Sequence, residues 1–234
     1  MATTTAVLLV HNATPDTILQ FHDQLSNELP ITKGRWNFNF KIFRNNQYSI
    51  PQNQPELTES KESKFLYTLS PSYLIDSTIC LINNKSSGVF TNSIEEEVKE
   101  LGHSHELTIP NFHLHLGATT GLNDKFDFFT HSKLQSLWLQ RQLIKGDGGQ
   151  IYELENGNLC FRTSNVFLHG NFRGLLIQIE INIKEEGIDL EEKFNRIKNK
   201  YNIPDGNLCC DVINSGRFDK YGDLCLQYSK ILNF

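Results

Sequence analysis

Four histidines lie close together in the sequence and are the first candidates for metal binding. They fall within thirteen residues, at His103, His105, His113 and His115. Each pair has i,i+2 spacing, so on a strand both rings would share a face, as a metal ion requires. Gly102 and Pro110 interrupt the segment, however, and Glu106 is its only carboxylate. We therefore expect no metal site, and we interpret the histidines as polar positions on two strand faces beside a loop.

The alternating segment 178–184, Gln-Ile-Glu-Ile-Asn-Ile-Lys, is a second candidate for chemistry. On a strand, its four polar residues share one face and its three isoleucines the other. The pattern resembles the Glu-x-Glu-x-Lys strand of tunnel-barrel triphosphatases, which hold metal ions around a triphosphate with several carboxylates. Here only Glu180 remains of the acidic pair, and the candidate strands 6–10 and 36–42 contain no acid. One carboxylate cannot organise two hard cations. We expect no catalysis, with a barrel enzyme acting on a phosphorylated substrate as the alternative.

The glycine-rich segment 146–149, Gly-Asp-Gly-Gly, could suggest a phosphate-binding loop. Such a loop precedes a helix, whose positive N-terminus then faces the anion. These glycines follow a segment with helical periodicity, so we interpret them as the end of a helix. The sequence also contains neither GxSxG nor GxxxxGK[ST], and two common nucleophile and nucleotide templates are thereby excluded.

Composition and charge indicate a globular protein and disfavour several classes of partner. Apolar residues make up 38% of the chain, the formal net charge is −5, and the five cysteines include no CxxC. Without a basic stripe we expect no direct nucleic-acid binding. The longest apolar runs, such as residues 6–10, are far shorter than the roughly 20 residues of a membrane span. The odd cysteine count and the absence of an export signal predict free thiols in the cytosol or nucleus, and we expect no cofactor.

Periodicity and turn residues predict a mixture of strands and helices. Thr14-Pro15-Asp16 begins a helix that ends near Leu29, and Asn156-Gly157 joins two strands in a hairpin. Loops are predicted at 48–63, 117–129 and 202–223. Further helices are predicted at 93–101, 189–201 and from about 223 to 232. Strands are predicted at 6–10, 36–42, 64–70, 78–83, 88–91, 111–116, 151–154, 159–167 and 172–184. The fold class is therefore α+β, a largely antiparallel β-barrel of about eight strands flanked by three or four helices, in one domain over residues 1–234.

The segment 132–145 is predicted to be the longest helix. On a helical wheel Trp138 shares one side with three apolar residues, and Arg141 lies among them. Leu139 and Leu143 lie nearly opposite, and a helix that is apolar on two sides is sandwiched between two surfaces. The second surface belongs either to the protein's own core or to a partner. In the second case Trp138 and Arg141 are the partner-binding residues.

This segment resembles subunit 20 of the Mediator complex, through the run Trp138-Leu-Gln-Arg141-Gln-Leu-Ile-Lys-Gly. The resemblance continues in Asn171-Phe-Arg-Gly-Leu-Leu-Ile-Gln-Ile-Glu180, in the opening strand, and in the final Asp223-Leu-Cys-Leu-Gln-Tyr228. Close similarity covers about a third of the chain. The segments near 45–63 and 101–129 show no match and are interpreted as divergent loops.

The resemblance implies a non-enzymatic subunit of the Mediator head module, located in the nucleus. Members of that family form an antiparallel β-barrel and pair with the similarly folded subunit 18. The C-terminal helix of subunit 8 tethers this pair to the head through subunit 18. The pair helps relay regulator signals to RNA polymerase II. Family interface residues are not transferred here, so Trp138 and Arg141 rest on the sequence pattern alone.

Overall fold

The computed structural model describes residues 2–46, 64–84, 86–91, 126–183, 190–210 and 220–234. Within these residues the helices are α1 (Pro15–Asn27), α2 (Phe126–Lys133), α3 (Leu190–Lys200) and α4 (Lys220–Ile231). The strands are β1 (Ala2–Val10), β2 (Ile31–Asn45), β3 (Phe65–Pro71), β4 (Ser77–Ile82), β5 (Ser86–Thr91), β6 (Trp138–Leu154), β7 (Leu159–Leu168), β8 (Asn171–Ile183) and β9 (Asn207–Cys210).

The nine strands form one sheet in the order β5-β4-β3-β2-β6-β7-β8-β1-β9. The pairs β1–β8, β1–β9, β2–β3, β3–β4, β4–β5, β6–β7 and β7–β8 are all antiparallel. The predicted α+β class with a largely antiparallel sheet is confirmed. The chain divides into two compact units, Met1–Asn37 with Ile144–Phe234, and Phe38–Leu143. We refer to them as unit 1 and unit 2.

One core layer of unit 1 lies on the face of its sheet that α1 and α3 cover. Phe21 from α1 makes an edge contact with Phe161 of β7, with ring centroids 6.4 Å apart. Tyr201, at the end of α3, contacts the same ring at 5.2 Å. The sheet contributes alternating apolar residues, which include Leu8, Ile177 and Ile179, all at most 1% exposed. The alternation in β8 is the pattern noted in the sequence at 178–184, whereas the strand at 6–10 was predicted from its continuous apolar run.

Helix α1 begins as its sequence predicts. The Thr14 side chain accepts a hydrogen bond from the backbone N–H of Thr17 at 3.2 Å, and Pro15 occupies the first turn. Phe21 and Leu25 point into the core and are almost fully buried. The helix ends at Asn27, two residues before the predicted end at Leu29.

Leu29 has an unusual conformation directly after this helix, and it supports a prediction about stability. Its φ is 51° and its side chain is 89% exposed. A left-handed backbone costs a residue with a Cβ about 1–2 kcal/mol, and glycine avoids this cost. We expect Leu29→Gly to raise the free energy of unfolding by about 0.5–1 kcal/mol, measured by denaturant unfolding. Leu29→Ala keeps the Cβ and is the control, with little expected change. A less stable glycine variant would contradict this interpretation.

The predicted hairpin around Asn156-Gly157 is confirmed, with a slightly longer loop. Strands β6 and β7 pair up to Leu154 and Leu159. The turn contains three residues with positive φ, namely Glu155 at 53°, Asn156 at 54° and Gly157 at 85°. The Glu155 carboxylate accepts hydrogen bonds from Lys200 at 2.6 Å and Tyr201 at 3.0 Å, so the turn is attached to the end of α3.

One buried cluster of unit 2 is formed by residues of β2, β3 and β4. Phe43, Leu66 and Cys80 are buried together. Helix α2 lies against this group, and its Phe126 ring stacks on Phe90 with centroids 3.7 Å apart. Lys41 of β2 and Asp127 of α2 form an ion pair at 2.8 Å, which fixes the helix to the sheet.

The helix predicted over residues 132–145 is wrong. Helix α2 ends at Lys133, and a turn leads into the long strand β6. The backbone N–H of Asn46, after β2, donates to the Leu137 carbonyl at 2.8 Å, and β6 pairs with β7 from Ile144 onward. Leucine, glutamine and arginine favour helices locally, but this preference is worth less than about 1 kcal/mol per residue. Hydrogen bonding and packing across the sheet override it.

Several sequence predictions fall on residues outside the described ranges. They are the histidine cluster, the helix at 93–101, the strand at 111–116 and the loop at 48–63. The loop predicted at 117–129 is described only from residue 126, where it is already helical, and the loop at 202–223 contains β9. None of the helices in the described ranges is long and apolar enough to cross a membrane.

Candidate functional site

The strand that suggested a triphosphatase is β8, and its polar face is covered by the last helix. Gln178 and Glu180 lie on the face opposite the buried isoleucines of the core. Helix α4 packs against β1 and β9, and its side chains reach this face of the sheet. The predicted alternation of polar and apolar faces is therefore correct. The polar face forms a layer between the sheet and α4.

Glu180 lies between two cations. One carboxylate oxygen accepts a hydrogen bond from Arg162 of β7 at 2.6 Å, and the other accepts one from Lys220 of α4 at 3.4 Å. Burial raises the pKa of Glu180, but the charges and hydrogen bonds of Arg162 and Lys220 outweigh it, and the pKa lies below its ordinary value. The carboxylate is thus ionised and already neutralised by protein groups.

This arrangement differs from a site for divalent cations. Hard cations take several oxygen ligands, and a charge held by an arginine and a lysine cannot act as one of a ligand set. Across the described ranges no group of three or more His, Cys, Asp or Glu side chains is placed to hold a metal ion. On this face the charged and polar side chains pack α4 against the sheet.

Further polar contacts fix α4 on the sheet. The Tyr228 hydroxyl donates to Gln178 at 3.1 Å, and Gln227 donates to the backbone carbonyl of Thr5 at 2.9 Å. These contacts, with the Lys220–Glu180 pair, extend from residue 220 to residue 228 of the helix. Sequence reasoning found Gln178 and Glu180 but missed their partners. The one signal was Arg162, a lone charge within the apolar strand β7.

Two thiols of unit 1, those of Cys209 and Cys225, are not activated for nucleophilic chemistry. Burial raises the pKa of Cys225 on α4 above its ordinary value. Burial also raises the pKa of Cys209 on β9, where the nearby charges of Lys230 and Asp223 act in opposite directions. A reactive cysteine requires a lowered pKa, so these two side chains pack as small apolar groups.

The two residues predicted to bind a partner, Trp138 and Arg141, lie on β6 and not on a helix. Trp138 is half-buried and packs against the unit 2 core of Phe43, Leu66 and Cys80. Arg141 is exposed and does not lie among buried leucines. On β6, Leu139 and Arg141 alternate with Trp138 and share the outward face. Leu139 is 46% exposed, and Leu137, which is 43% exposed, lies in the turn directly before the strand.

The Gly-Asp-Gly-Gly segment is a bulge within β6, so its interpretation as a helix end is also wrong. Gly148 and Gly149 together face Ser164 of β7, because the register shifts between Asp147 and Gln150. Gly148 has φ 64°, and its N–H donates to the Asp147 carboxylate at 2.7 Å. A Cβ on Gly149 would lie 2.6 Å from the carbonyl oxygens of Trp36 and Thr163. The glycines thus let three backbone segments approach closely.

Comparison with known proteins identifies the family. Residues 1–233 match the family model described as the TATA-binding related factor of subunit 20 of the Mediator complex. The chain is 68% identical over 234 residues to Mediator of RNA polymerase II transcription subunit 20 of Scheffersomyces stipitis, covering 98% of this chain and 99% of that protein. The protein of the same name from Debaryomyces hansenii is 63% identical over 236 residues, with 98% and 99% coverage.

A chain in the structure of the Schizosaccharomyces pombe Mediator head module is similar at a TM-score of 0.38, with 10% identity, 89% coverage of this chain and 98% of that one. The family model and the two yeast relatives all extend over almost the whole sequence, including the segments where the sequence alone showed no match. The chain belongs to the Mediator subunit 20 family.

Proposed function

We propose that the protein is a non-enzymatic subunit of the nuclear Mediator head module and that it pairs directly with subunit 18. Subunit 18 would connect it to the C-terminal helix of subunit 8. The assembly would help relay regulator signals to RNA polymerase II. Membership of the subunit 20 family supports this role, and the relatives carry the name of a Mediator subunit. The neutralised Glu180 supports the non-enzymatic part of the proposal.

The outward surface of β6 carries the pairing part of the proposal. An arginine beside exposed leucines is the composition of an interface, since arginine is enriched in interfaces and an apolar strand face is poorly solvated. In this proposal Arg141 contacts subunit 18, with Leu137 and Leu139 beside it. Trp138 supports this surface from the inner face of β6, because its packing on Phe43 and Leu66 holds the strand in place.

Arg141→Ala tests this assignment. We expect it to weaken binding of purified subunit 18 by about 2 kcal/mol or more, or roughly thirtyfold in Kd. The unfolding midpoint of the isolated chain should change little, because the side chain is exposed. Titration calorimetry and denaturant unfolding on the same variant measure both quantities. Arg196→Ala is a matched control, since Arg196 is exposed on α3 and pairs with Glu192 in the same helix. Unchanged affinity in Arg141→Ala would refute the assignment.

The non-enzymatic part of the proposal predicts that the chain does not hydrolyse nucleoside triphosphates. With Mg²⁺ or Mn²⁺ present, phosphate release should equal that of a buffer blank, because Glu180 is engaged by Arg162 and Lys220. Release of phosphate is followed colourimetrically at high protein concentration. Metal-dependent turnover that disappears in Glu180→Ala would show that the alternative, a tunnel-barrel phosphohydrolase, is correct.

A further inference from the structure

An exposed arginine and two aromatic rings meet where β1, β8 and the end of the chain come together in unit 1. The Arg173 guanidinium lies over the Phe234 ring, 5.9 Å from its centroid. His11 contacts the same ring edge-on at 6.2 Å, and Asn207 of β9 hydrogen-bonds to His11 at 3.2 Å. Phe234 is 37% exposed, and both Arg173 and His11 are exposed. These side chains are held in place although they lie at the surface.

A second aromatic pair adjoins this group along β7 and β8. Phe167 and Phe172 contact each other at 5.9 Å, and Phe172 is 41% exposed. The strands are joined by the two-residue turn His169-Gly170, with φ values of 51° and 80°, as in a tight type I′ hairpin. The register shifts between Val166 and Phe167, so Arg173 is the extra residue on β8. We call Arg173, Phe172 and Phe234 the Arg173 corner.

Arg173 forms no ion pair with a carboxylate within the described part of the chain, and its one described contact is the face of Phe234. Stacking on an aromatic ring restricts a guanidinium while its edge remains able to form two parallel hydrogen bonds to a carboxylate.

We propose that the Arg173 corner binds an acidic segment of a protein partner within Mediator. A carboxylate of that segment pairs with Arg173, and an adjacent apolar side chain packs on Phe172. The composition fits protein recognition, since aromatic residues and arginine are the side chains that contribute most to interfaces. A nucleic acid would require several cations along a track, and the corner provides one. The Arg173 corner would be a second binding surface, in addition to the β6 surface proposed to contact subunit 18. The inference rests on the proposed function, assembly into Mediator.

Site-specific photocrosslinking in purified Mediator tests this proposal. p-Benzoylphenylalanine replaces Phe172 in the tagged chain, the complex is purified and irradiated, and crosslinked peptides are identified by mass spectrometry. We expect a crosslink to a segment that carries Asp or Glu next to an apolar residue. Arg173→Glu in the same chain should lower the yield on the order of tenfold, because like charges would face each other. Arg173→Lys keeps the positive charge but cannot form two parallel hydrogen bonds to a carboxylate, so it should give an intermediate crosslinking yield.

The controls separate this proposal from the proposed function. The crosslinker placed at Leu19, which is 61% exposed on α1, reports non-specific labelling. If Mediator subunits do not copurify with the unsubstituted chain, the proposed function fails and this inference fails with it. If they copurify but Phe172 gives no crosslink above the Leu19 control, only this inference is overturned. A crosslink to nucleic acid, to a segment without a carboxylate, or one insensitive to Arg173→Glu overturns it as well.

Discussion

Replacing Gly149 with alanine is expected to destabilise the protein by about 3 kcal/mol, at the upper end of the range for overpacked sites. The added Cβ would lie 2.6 Å from the carbonyl oxygens of Trp36 and Thr163, and 2.7 Å from Nε1 of Trp36. Two of these atoms belong to the backbone of paired strands and cannot move aside. Trp36 is 3% exposed, and its Nε1 donates to the Thr163 carbonyl at 2.8 Å, so the indole is also fixed. Denaturant unfolding measures the effect.

Gly88→Ala is the matched control for this prediction. Gly88 also lies within a strand, but a Cβ there would meet only the Phe90 ring, at an ordinary 3.8 Å. The control should retain nearly the stability of the wild type. Equal stability of the two alanine variants would mean that the glycine bulge does not bring the backbones of β6, β7 and residue 36 together as the structure shows.

Glu180→Gln is expected to have a similar effect, with a loss of about 3 kcal/mol in the free energy of unfolding. The substitution keeps the shape of the side chain but leaves Arg162 and Lys220 near each other without the carboxylate that neutralises them. The Arg162 side chain is 5% exposed, so water cannot replace the lost charge. The loss should be accompanied by weaker attachment of α4, which hydrogen exchange of the α4 amides would detect.

The pH dependence of this loss has a defined direction. The pKa of Glu180 in the folded protein lies below its ordinary value of 4.5. The carboxylate therefore contributes fully to the free energy of unfolding above about pH 4.5. As the pH falls through the lowered pKa the contribution disappears, and the stabilities of the wild type and of Glu180→Gln should converge. Glu192→Gln is the control, because its pair with Arg196 is exposed, and it should change stability by no more than about 0.5 kcal/mol. A constant difference between wild type and Glu180→Gln across the acid range would contradict this account.

Features set by short-range rules could be predicted from the sequence. The cap at Thr14, the turn at Asn156-Gly157 and the alternation of Gln178 and Glu180 with isoleucines each depend on a few neighbouring residues. The same holds for the family resemblance, which rested on short runs that lie in β1, β6, β8 and α4. The comparisons then extended it to almost the whole chain.

Features set by distant residues could not be predicted. The run Trp138-Leu-Gln-Arg141 was predicted to be helical because its residues favour helices, yet it begins β6, a strand that lies between β2 and β7 in the sheet. The helix predicted to carry Trp138 and Arg141 is therefore wrong. The exposure of Arg141 follows from its position on a strand and could not be predicted from the helical pattern. The pairing of Glu180 with Lys220 joins residues 40 positions apart, and no local pattern specifies it. Similarly, the need for glycine at 149 arises from Trp36, more than a hundred residues earlier in the chain.

Purification of the tagged chain from its own cells tests the central claim most directly. With the chain at its native expression level, mass spectrometry should find Mediator head subunits, with subunit 18 present at about one copy per chain. After a salt wash that removes weaker contacts, subunit 18 should be the partner that remains, since paired subunits bury a large interface. Recovery of the chain alone, or with proteins outside Mediator in place of subunit 18, would contradict the account.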